Sequence, residues 1–205
     1  MALFGRNRNH RESAVDTSPE PEVQIPEHGP YDSLEKETEK GYIDFGPIRV
    51  PQVTGMQLVP TVAPGTKTIV SLGLIIGTSR LELRVFASPK SGGSWKRVQE
   101  QLETSLTKQK NTVTYRQGRW GKQMLVSGPS TGGSQVRIIG LDGRRWFLRV
   151  DVMGAAAADS DAFEQAREII DALVVHRDDQ PRPPLSTIPM TLPAGMIQVE
   201  TPPNV

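Results

Sequence analysis

The sequence predicts an α+β domain: a mostly antiparallel sheet of about seven or eight strands with two helices packed on one face. Two observations support this class. Between residues 41 and 153, short β-forming stretches alternate with turns that contain glycine or proline, and two segments carry apolar residues at helical spacing. The chain lacks the repeated strand–helix–strand order of a doubly wound parallel sheet, and its 205 residues suit one such domain.

The first five predicted strands lie before residue 87. Residues 42–45 and 48–50 are short stretches that each end close to a proline, which belongs at sheet edges and turns. A third stretch, 56–62, ends just before a Pro-Gly pair. Residues 67–76 and 81–86 are strongly β-forming, and the short polar segment between them predicts a hairpin.

A helix is predicted over residues 95–109, where apolar residues recur at helical spacing: Trp95, Val98, Leu102 and Leu106. Two glycines precede this helix, and Ser94 is placed to cap its N-terminus. The free amides at this end could instead hold an anion, with Lys90 and Lys96 nearby. The segment lacks the pattern of a Walker or dinucleotide loop, so a glycine turn leading into a capped helix is the preferred interpretation.

Four more strands are predicted after this helix, as two hairpins. Residues 112–116 and 123–127 flank a glycine-containing turn. Residues 135–140 and 145–153 flank an Asp-Gly dipeptide, which is typical of a tight hairpin.

The second helix is predicted near the end of the domain, where one face is apolar: Phe163, Ala166, Ile170 and Leu173. Asp161 and Glu164 have the spacing of a capping box at its start. The large aromatic side chains of the two helices and their neighbouring strands fall on periodic positions, which favours a place in the core.

The chain divides by composition into three parts. Residues 1–40 are predicted to be a disordered acidic leader with a short basic start, because they hold few large apolar residues. Residues 41–177 form the single domain. Residues 178–205 are a proline-rich tail with enough apolar side chains for part of it to lie extended against the domain.

Charge follows the same division. The leader has 5 Lys/Arg against 9 Asp/Glu, the domain 18 against 11, and the tail 1 against 3. The folded part is therefore cationic and the leader anionic, although the net charge of the chain is only +1. This contrast favours acidic or anionic partners for the surface of the domain.

Several classes of protein are disfavoured by the composition. The chain has no cysteine, which excludes disulfide and thiolate chemistry and favours a cytoplasmic location. Its start lacks the apolar stretch of a secretory signal, and its most apolar run, 69–76, is far shorter than the roughly 20 residues that span a bilayer. No serine elbow, poised histidine or metal-loop spacing is present, so we expect no enzyme activity, metal or cofactor.

Four local strings occur in a defined order, and the last two are the more specific: Gly41-Tyr-Ile-Asp-Phe-Gly46, Arg49-Val-Pro51, Phe86-Ala-Ser-Pro-Lys-Ser-Gly-Gly-Ser-Trp95 and Gly140-Leu-Asp-Gly-Arg-Arg-Trp-Phe-Leu-Arg149. In this order and spacing the chain resembles an actinobacterial family described only as a domain of unknown function, number 3710, over about residues 29–195. The resemblance implies kinship. It supplies no reaction, ligand or functional residue.

A candidate binding surface is defined by basic residues and two aromatic ones: Lys90, Arg97, Arg116, Arg119, Trp120, Lys122, Arg145, Phe147 and Arg149. Trp120 lies at a predicted hairpin tip, where an exposed ring could stack on a nucleic-acid base while neighbouring cations meet phosphates. In strand 145–153, alternation puts Phe147 on the same face as two arginines, which would form a contact patch if the C-terminal tail leaves it uncovered.

The preferred functional interpretation is a non-enzymatic binding module that recruits a protein partner through its sheet or tails. The alternative is a basic domain that binds RNA or DNA, although no nucleic-acid-binding signature accompanies the basic residues, and such residues are usually a solvated face. A small-molecule enzyme is the third class. The identity of the partner and the oligomeric state are left open by the sequence.

Overall fold

The computed structural model describes residues 27–38, 40–158, 160–193 and 195. Two helices, α1 (Ser94–Lys108) and α2 (Asp161–Ala172), accompany the strands. The strands of these residues are, in chain order, β1 (Tyr31–Asp32), β2 (Tyr42–Asp44), β3 (Ile48–Pro51), β4 (Gln57–Val62), β5 (Ile69–Ile76), β6 (Ser79–Ala87), β7 (Thr112–Gly118), β8 (Gly121–Ser127), β9 (Val136–Asp142), β10 (Trp146–Gly154) and β11 (Val174–Val175). The predicted α+β class is confirmed.

The strands form two sheets. Seven make an antiparallel sheet in the order β4-β5-β6-β10-β9-β8-β7. The three predicted hairpins, β5–β6, β7–β8 and β9–β10, are all present in it. The remaining four strands make a small sheet in the order β1-β11-β3-β2, in which β1 and β11 are parallel. This second sheet was not predicted as a separate layer.

The two helices pack on opposite faces of the large sheet, so the prediction that both lie on one face is wrong. Along β10, Leu148 and Val150 point into the core that contains α2 and the small sheet, and we call this side the inner face. Phe147, between them in alternation, packs with Trp95 of α1 on the other side, the outer face. Because β10 is apolar on both sides at this end, it requires a covering layer on each.

The helix caps differ from those predicted. Helix α1 begins after Gly93, whose φ of 77° lies in the left-handed region, and Ser94 is the first helical residue rather than the cap. Its hydroxyl instead lies 2.6 Å from that of Ser88. Helix α2 is capped by Ser160, whose Oγ accepts the N–H of Phe163 at 3.4 Å.

The predicted capping box of Asp161 and Glu164 is therefore wrong, because the cap is Ser160, one residue earlier. Asp161 is the first helical residue, and Glu164 forms an ion pair with Arg167 in the next turn. Both carboxylates remain in the first turn of the helix, where they complement the positive end of its dipole.

The C-terminal tail is part of the sheet. Beyond their Leu72–Leu83 pair, β5 and β6 no longer pair with each other, and the tail lies between their ends. Ile188 N–H donates to Val85 of β6 and Met190 N–H donates to Ile69 of β5, each at 2.9 Å. Both tail side chains are buried in the inner core. The ordered fold thus extends beyond residue 177.

The fold also begins before the predicted boundary at residue 41, because β1 pairs with β11 and Asp32 is only 5% exposed. The rest of the predicted disordered leader, residues 1–26, lies outside the described residues, as do residues 196–205 of the tail. Among the helices that the structure describes, none has the length and hydrophobicity needed to cross a membrane.

Candidate binding cleft

A cleft of about 530 Å³ opens at one end of the large sheet, where the β7–β8 turn, the β9–β10 turn and the first turn of α1 meet the segment before β1. The chain contains three tryptophans, and all of them line this cleft: Trp95, Trp120 and Trp146. We call it the tryptophan cleft. Its volume is within the range of sites that hold a small molecule or a few side chains.

Two glycines allow the tryptophans to approach the hairpin closely. A Cβ atom on Gly140 would lie 2.1 Å from the indole of Trp95, and one on Gly143 would lie 2.0 Å from the indole of Trp146. Any side chain at these positions would displace an indole ring. The two more specific strings of the family resemblance, one ending at Trp95 and one running from Gly140, therefore meet in this cleft.

All three indole N–H groups are used inside the protein. Trp95 donates to the backbone oxygen of Lys122 at 2.9 Å, and Trp120 donates to that of Gly29 at 2.8 Å. Trp146 donates to the carboxylate of Asp32 at 2.8 Å. These bonds fix the orientation of the rings and occupy the indole donors, and because Trp95 and Trp146 are buried, the accessible ring surface is mainly that of Trp120.

The N-terminus of α1 is occupied by a carboxylate of the protein itself. Asp142, at the end of β9, accepts the N–H of Ser94 at 3.0 Å and that of Trp95 at 3.1 Å. A carboxylate at this position satisfies free amides and complements the helix dipole. The anion considered for this helix end in the sequence is therefore supplied by the β9–β10 turn.

A second acidic region comes from the segment that contains β1. The carboxylate of Asp32 accepts the N–H of Leu34 at 3.0 Å in addition to the Trp146 indole. Glu35 in turn accepts the backbone N–H of Asp32 at 2.8 Å. Three carboxylates thus line the cleft against a single guanidinium, that of the exposed Arg144. His28 lies at its margin.

The family described as "Protein of unknown function (DUF3710)" matches residues 29–199. The chain belongs to this family. The matched range takes in the whole lining of the cleft except His28. A search of the curated proteins finds no match to this member of the DUF3710 family.

Phe147 does not form the contact patch considered for it in this DUF3710 domain. It is fully buried, with ring centroids 5.7 Å from Phe86 and 6.1 Å from Trp95. Helix α1 covers it, and Leu185 of the tail packs against the same cluster. The condition for an exposed patch, that this face is left uncovered, therefore fails.

Most of the predicted basic surface is engaged within the domain. Arg119 pairs with Asp171 at 2.5 Å, and Arg145 lies 3.6 Å from a carboxylate oxygen of Asp179. The ammonium group of Lys122 lies 3.7 Å from the ring centroid of Tyr115. These contacts occupy cations that were expected to face a ligand.

The other members of the predicted surface are dispersed. Arg149 binds Asp151 through two hydrogen bonds of 2.7 and 2.9 Å. Trp120 is partly buried by its packing and by its bond to Gly29. Three further cations are exposed and lie in different parts of the fold: Lys90 before α1, Arg97 in α1 and Arg116 in β7. The structure brings Arg116, Arg119 and Trp120 to one pocket but buries Phe147, so it does not gather all nine residues into one surface.

Beyond the area covered by α1, the outer face carries a group of ion pairs that we call the ion-pair cluster: Arg80, Glu82, Arg84, Arg149 and Asp151. Arg80 binds Glu82 at 2.7 Å, and Arg84 binds Asp151 at 2.9 Å while lying 3.7 Å from Glu82. The Oγ of Ser71 donates to Glu82 at 2.5 Å. Each of the two carboxylates is bound by several donors, which offset the loss of hydration. The charged side chains can therefore remain largely buried on this face of the sheet.

The sequence did not reveal the tryptophan cleft. Asp32 and Glu35 lie in a segment assigned to the leader, and the partner of β1 is β11, at the far end of the domain. Asp142 was interpreted only as part of a hairpin dipeptide. The available signal was the pair of more specific family strings, since each contains glycine within three residues of a tryptophan. Among the described residues, no group of three or more side chains is placed to hold a metal ion.

Proposed function

We propose that the protein is a non-enzymatic, cytoplasmic binding module that recruits a protein partner, and that the tryptophan cleft is its recognition site. One observation carries the proposal: the three tryptophans of the chain converge on a cleft of about 530 Å³. Concave aromatic sites of this size suit the insertion of a side chain or short segment of a partner, and aromatic groups dominate binding energy at such contacts.

The rigidity of the cleft supports a role in recognition. Trp95 is held at its backbone by Asp142 and at its indole by Lys122. Trp146 is held by Asp32, which is itself fixed by the turn that follows it. A site whose side chains are already ordered loses little conformational entropy when a partner binds, and therefore binds more tightly for the same contacts.

The placement of the basic residues favours a protein partner over a nucleic acid. A nucleic-acid surface needs cations free to contact phosphates and an exposed ring on which bases can stack. Arg119, Arg145 and Arg149 are instead paired with carboxylates. Trp120, the proposed stacking residue, lines the tryptophan cleft and binds Gly29 instead of standing alone at a hairpin tip among free cations.

The use of the cleft carboxylates supports binding rather than catalysis. Asp32, Glu35 and Asp142 each accept N–H groups of the protein, which orders the walls of the cleft. A general acid or base needs a proton-transfer position open toward the substrate, and bonds of this kind reduce that freedom.

The lack of cysteine fits the proposed cytoplasmic location, which is a reducing compartment.

The proposal is tested by affinity purification of the full chain, with and without nuclease, and quantitative mass spectrometry. Arg144→Glu changes the charge at the mouth of the cleft. Lys108→Glu makes the same change at the exposed C-terminal end of α1, about 20 Å from its start. We expect a protein partner that is still recovered after nuclease treatment. The amount recovered should change with Arg144→Glu and stay the same with Lys108→Glu. Recovery that both variants leave unchanged, or that nuclease abolishes, would contradict the proposal.

A further inference from the structure

The charge in the tryptophan cleft is opposite to that of the domain around it. Residues 41–177 carry 18 Lys/Arg against 11 Asp/Glu. The cleft is lined by three carboxylates, those of Asp32, Glu35 and Asp142, against the guanidinium of Arg144. The group that enters it therefore meets a locally negative surface on a positive protein, which favours a cation and disfavours an anion.

The tryptophans also favour a cation over an anion. Their N–H groups already donate to oxygens of Lys122, Gly29 and Asp32, so they are not offered to an anionic or carbonyl-bearing ligand. What remains is accessible π surface, which attracts ammonium and guanidinium groups. Trp120 is the most accessible of the three indoles, since Trp95 and Trp146 are only 8% and 2% exposed.

Glu35 has the most free accepting capacity of the three carboxylates. Asp142 is bound by two amides at the start of α1, and Asp32 by one amide and an indole. Glu35 accepts one backbone N–H through Oε2. In the part of the chain that the structure describes, its Oε1 receives no hydrogen bond, and its side chain is partly exposed.

On these grounds we propose that the tryptophan cleft binds a lysine or arginine side chain of the protein partner, with Trp120 contacting the cation through its ring and Glu35 accepting a hydrogen bond from it. This inference rests on the proposed function and specifies the chemistry of the partner. Arg144, at the mouth of the cleft, opposes the entering cation and sets the affinity.

Intrinsic fluorescence provides a direct test, because every tryptophan of the chain lines the cleft. The probes are three nine-residue Gly-Ser peptides that differ in a central triplet of Lys, Gln or Glu, titrated into the full chain at low salt. We expect a saturable fluorescence change with the Lys peptide, at least about tenfold weaker binding of the Gln peptide, and no binding of the Glu peptide. Added salt should weaken the Lys peptide.

Variants sharpen the test. Arg144→Glu should tighten the Lys peptide about three- to fivefold, the size of an exposed charge interaction. Glu35→Gln should weaken it by a similar factor, while Lys108→Glu, remote from the cleft, leaves it nearly unchanged. Far-ultraviolet circular dichroism checks that each variant keeps its fold.

The outcomes separate this inference from the proposed function. Equal, saturable binding of all three peptides would overturn the cationic class while leaving the cleft as a site for protein segments. Weaker binding of the Lys peptide to Arg144→Glu, or tight binding of the Glu peptide, would overturn it as well. If none of the peptides changes the fluorescence, the cationic class is overturned as well. The proposed function is then decided separately, by how much partner is recovered in the affinity purification with Arg144→Glu and with Lys108→Glu.

Discussion

The two faces of the seven-stranded sheet are covered in different ways. On the inner face, successive inward-facing residues of β6 and β10 are aliphatic and completely buried under α2 and the small sheet: Leu81, Leu83, Val85, Leu148, Val150 and Val152. On the outer face the same two strands change character along their length. Phe86 and Phe147 lie beneath α1, whereas the ion-pair cluster occupies the part beyond it.

This difference shows how one pair of strands serves two purposes. Burial of an aliphatic or aromatic side chain stabilises a fold by about 1.5–3 kcal/mol. Ion pairs gain much less, because the loss of hydration offsets most of their attraction. The inner face and the part of the outer face under α1 therefore hold the fold together, and the ion-pair cluster keeps an uncovered sheet surface polar.

The largest expected effect compares neighbours on the two faces. Leu148→Ala should lower the free energy of unfolding by about 3 kcal/mol and Phe147→Ala by about 4 kcal/mol, because both side chains are fully buried. Leu34→Ala is the matched control, since Leu34 is 70% exposed and should change stability by less than about 0.5 kcal/mol. Urea unfolding measures all three. A small effect at Phe147 would mean that α1 contributes little to the core.

An intermediate effect is expected in the ion-pair cluster. Glu82→Gln keeps the shape of the side chain but leaves Arg80 without its carboxylate, and should cost about 2 kcal/mol because Glu82 is only 5% exposed. Asp44→Asn removes the acid of a single pair with Arg49, where the Asp44 side chain is 56% exposed, and should cost less than about 1 kcal/mol. Equal costs in urea unfolding would contradict a distinct role for the cluster.

The smallest expected effect concerns pH at the contact between α1 and β7. Burial, together with the 2.5 Å hydrogen bond to Glu103, raises the pKa of Tyr115 to about 12. Because the folded-state pKa lies above the unfolded value of about 10, Tyr115 stabilises the fold below pH 10 and loses this contribution as pH rises toward 12.

Tyr115→Phe removes both the hydrogen bond and the titration. At pH 8 the variant should be about 0.5 kcal/mol less stable than the natural protein. Above pH 10 this gap should shrink and then reverse sign toward pH 12, because only the natural protein must ionise a hydroxyl whose pKa the fold raises. Urea unfolding at pH 8, 10 and 11.5 measures the gap, and one that stays constant would show that the hydroxyl does not titrate in this range.

The parts of the fold that the sequence predicted are those fixed by local pattern. Hairpins such as β9–β10 follow from turn residues and flanking strands, and α1 follows from the spacing of apolar side chains such as Trp95 and Val98. The placement of α1 was missed because alternation in β10 was assigned one apolar face. Phe147, an aromatic residue between two arginines, was the signal that the opposite face is also covered at this end.

The candidate site was not predicted because its parts are distant in sequence. The bond between Trp146 and Asp32 joins residues 114 positions apart, and that between Trp120 and Gly29 joins residues 91 apart. Composition and periodicity report neighbours along the chain, so they contain no record of these contacts. The sequence analysis singled out basic residues instead. A sequence shows each charged residue, but it does not show which acidic residue lies beside it in the fold.

The position of the tail also determines when the sheet can be completed during synthesis. On the β5 side, Ala87 and Val85 of β6 receive their hydrogen-bond partners from residues 185–188, about a hundred residues later. At roughly 5–20 residues per second, the ribosome needs about 5–20 s to make that interval. Until then the β5–β6 hairpin and the pairing of β6 with β10 can form, and only the ends of β5 and β6 that the tail joins still lack this partner.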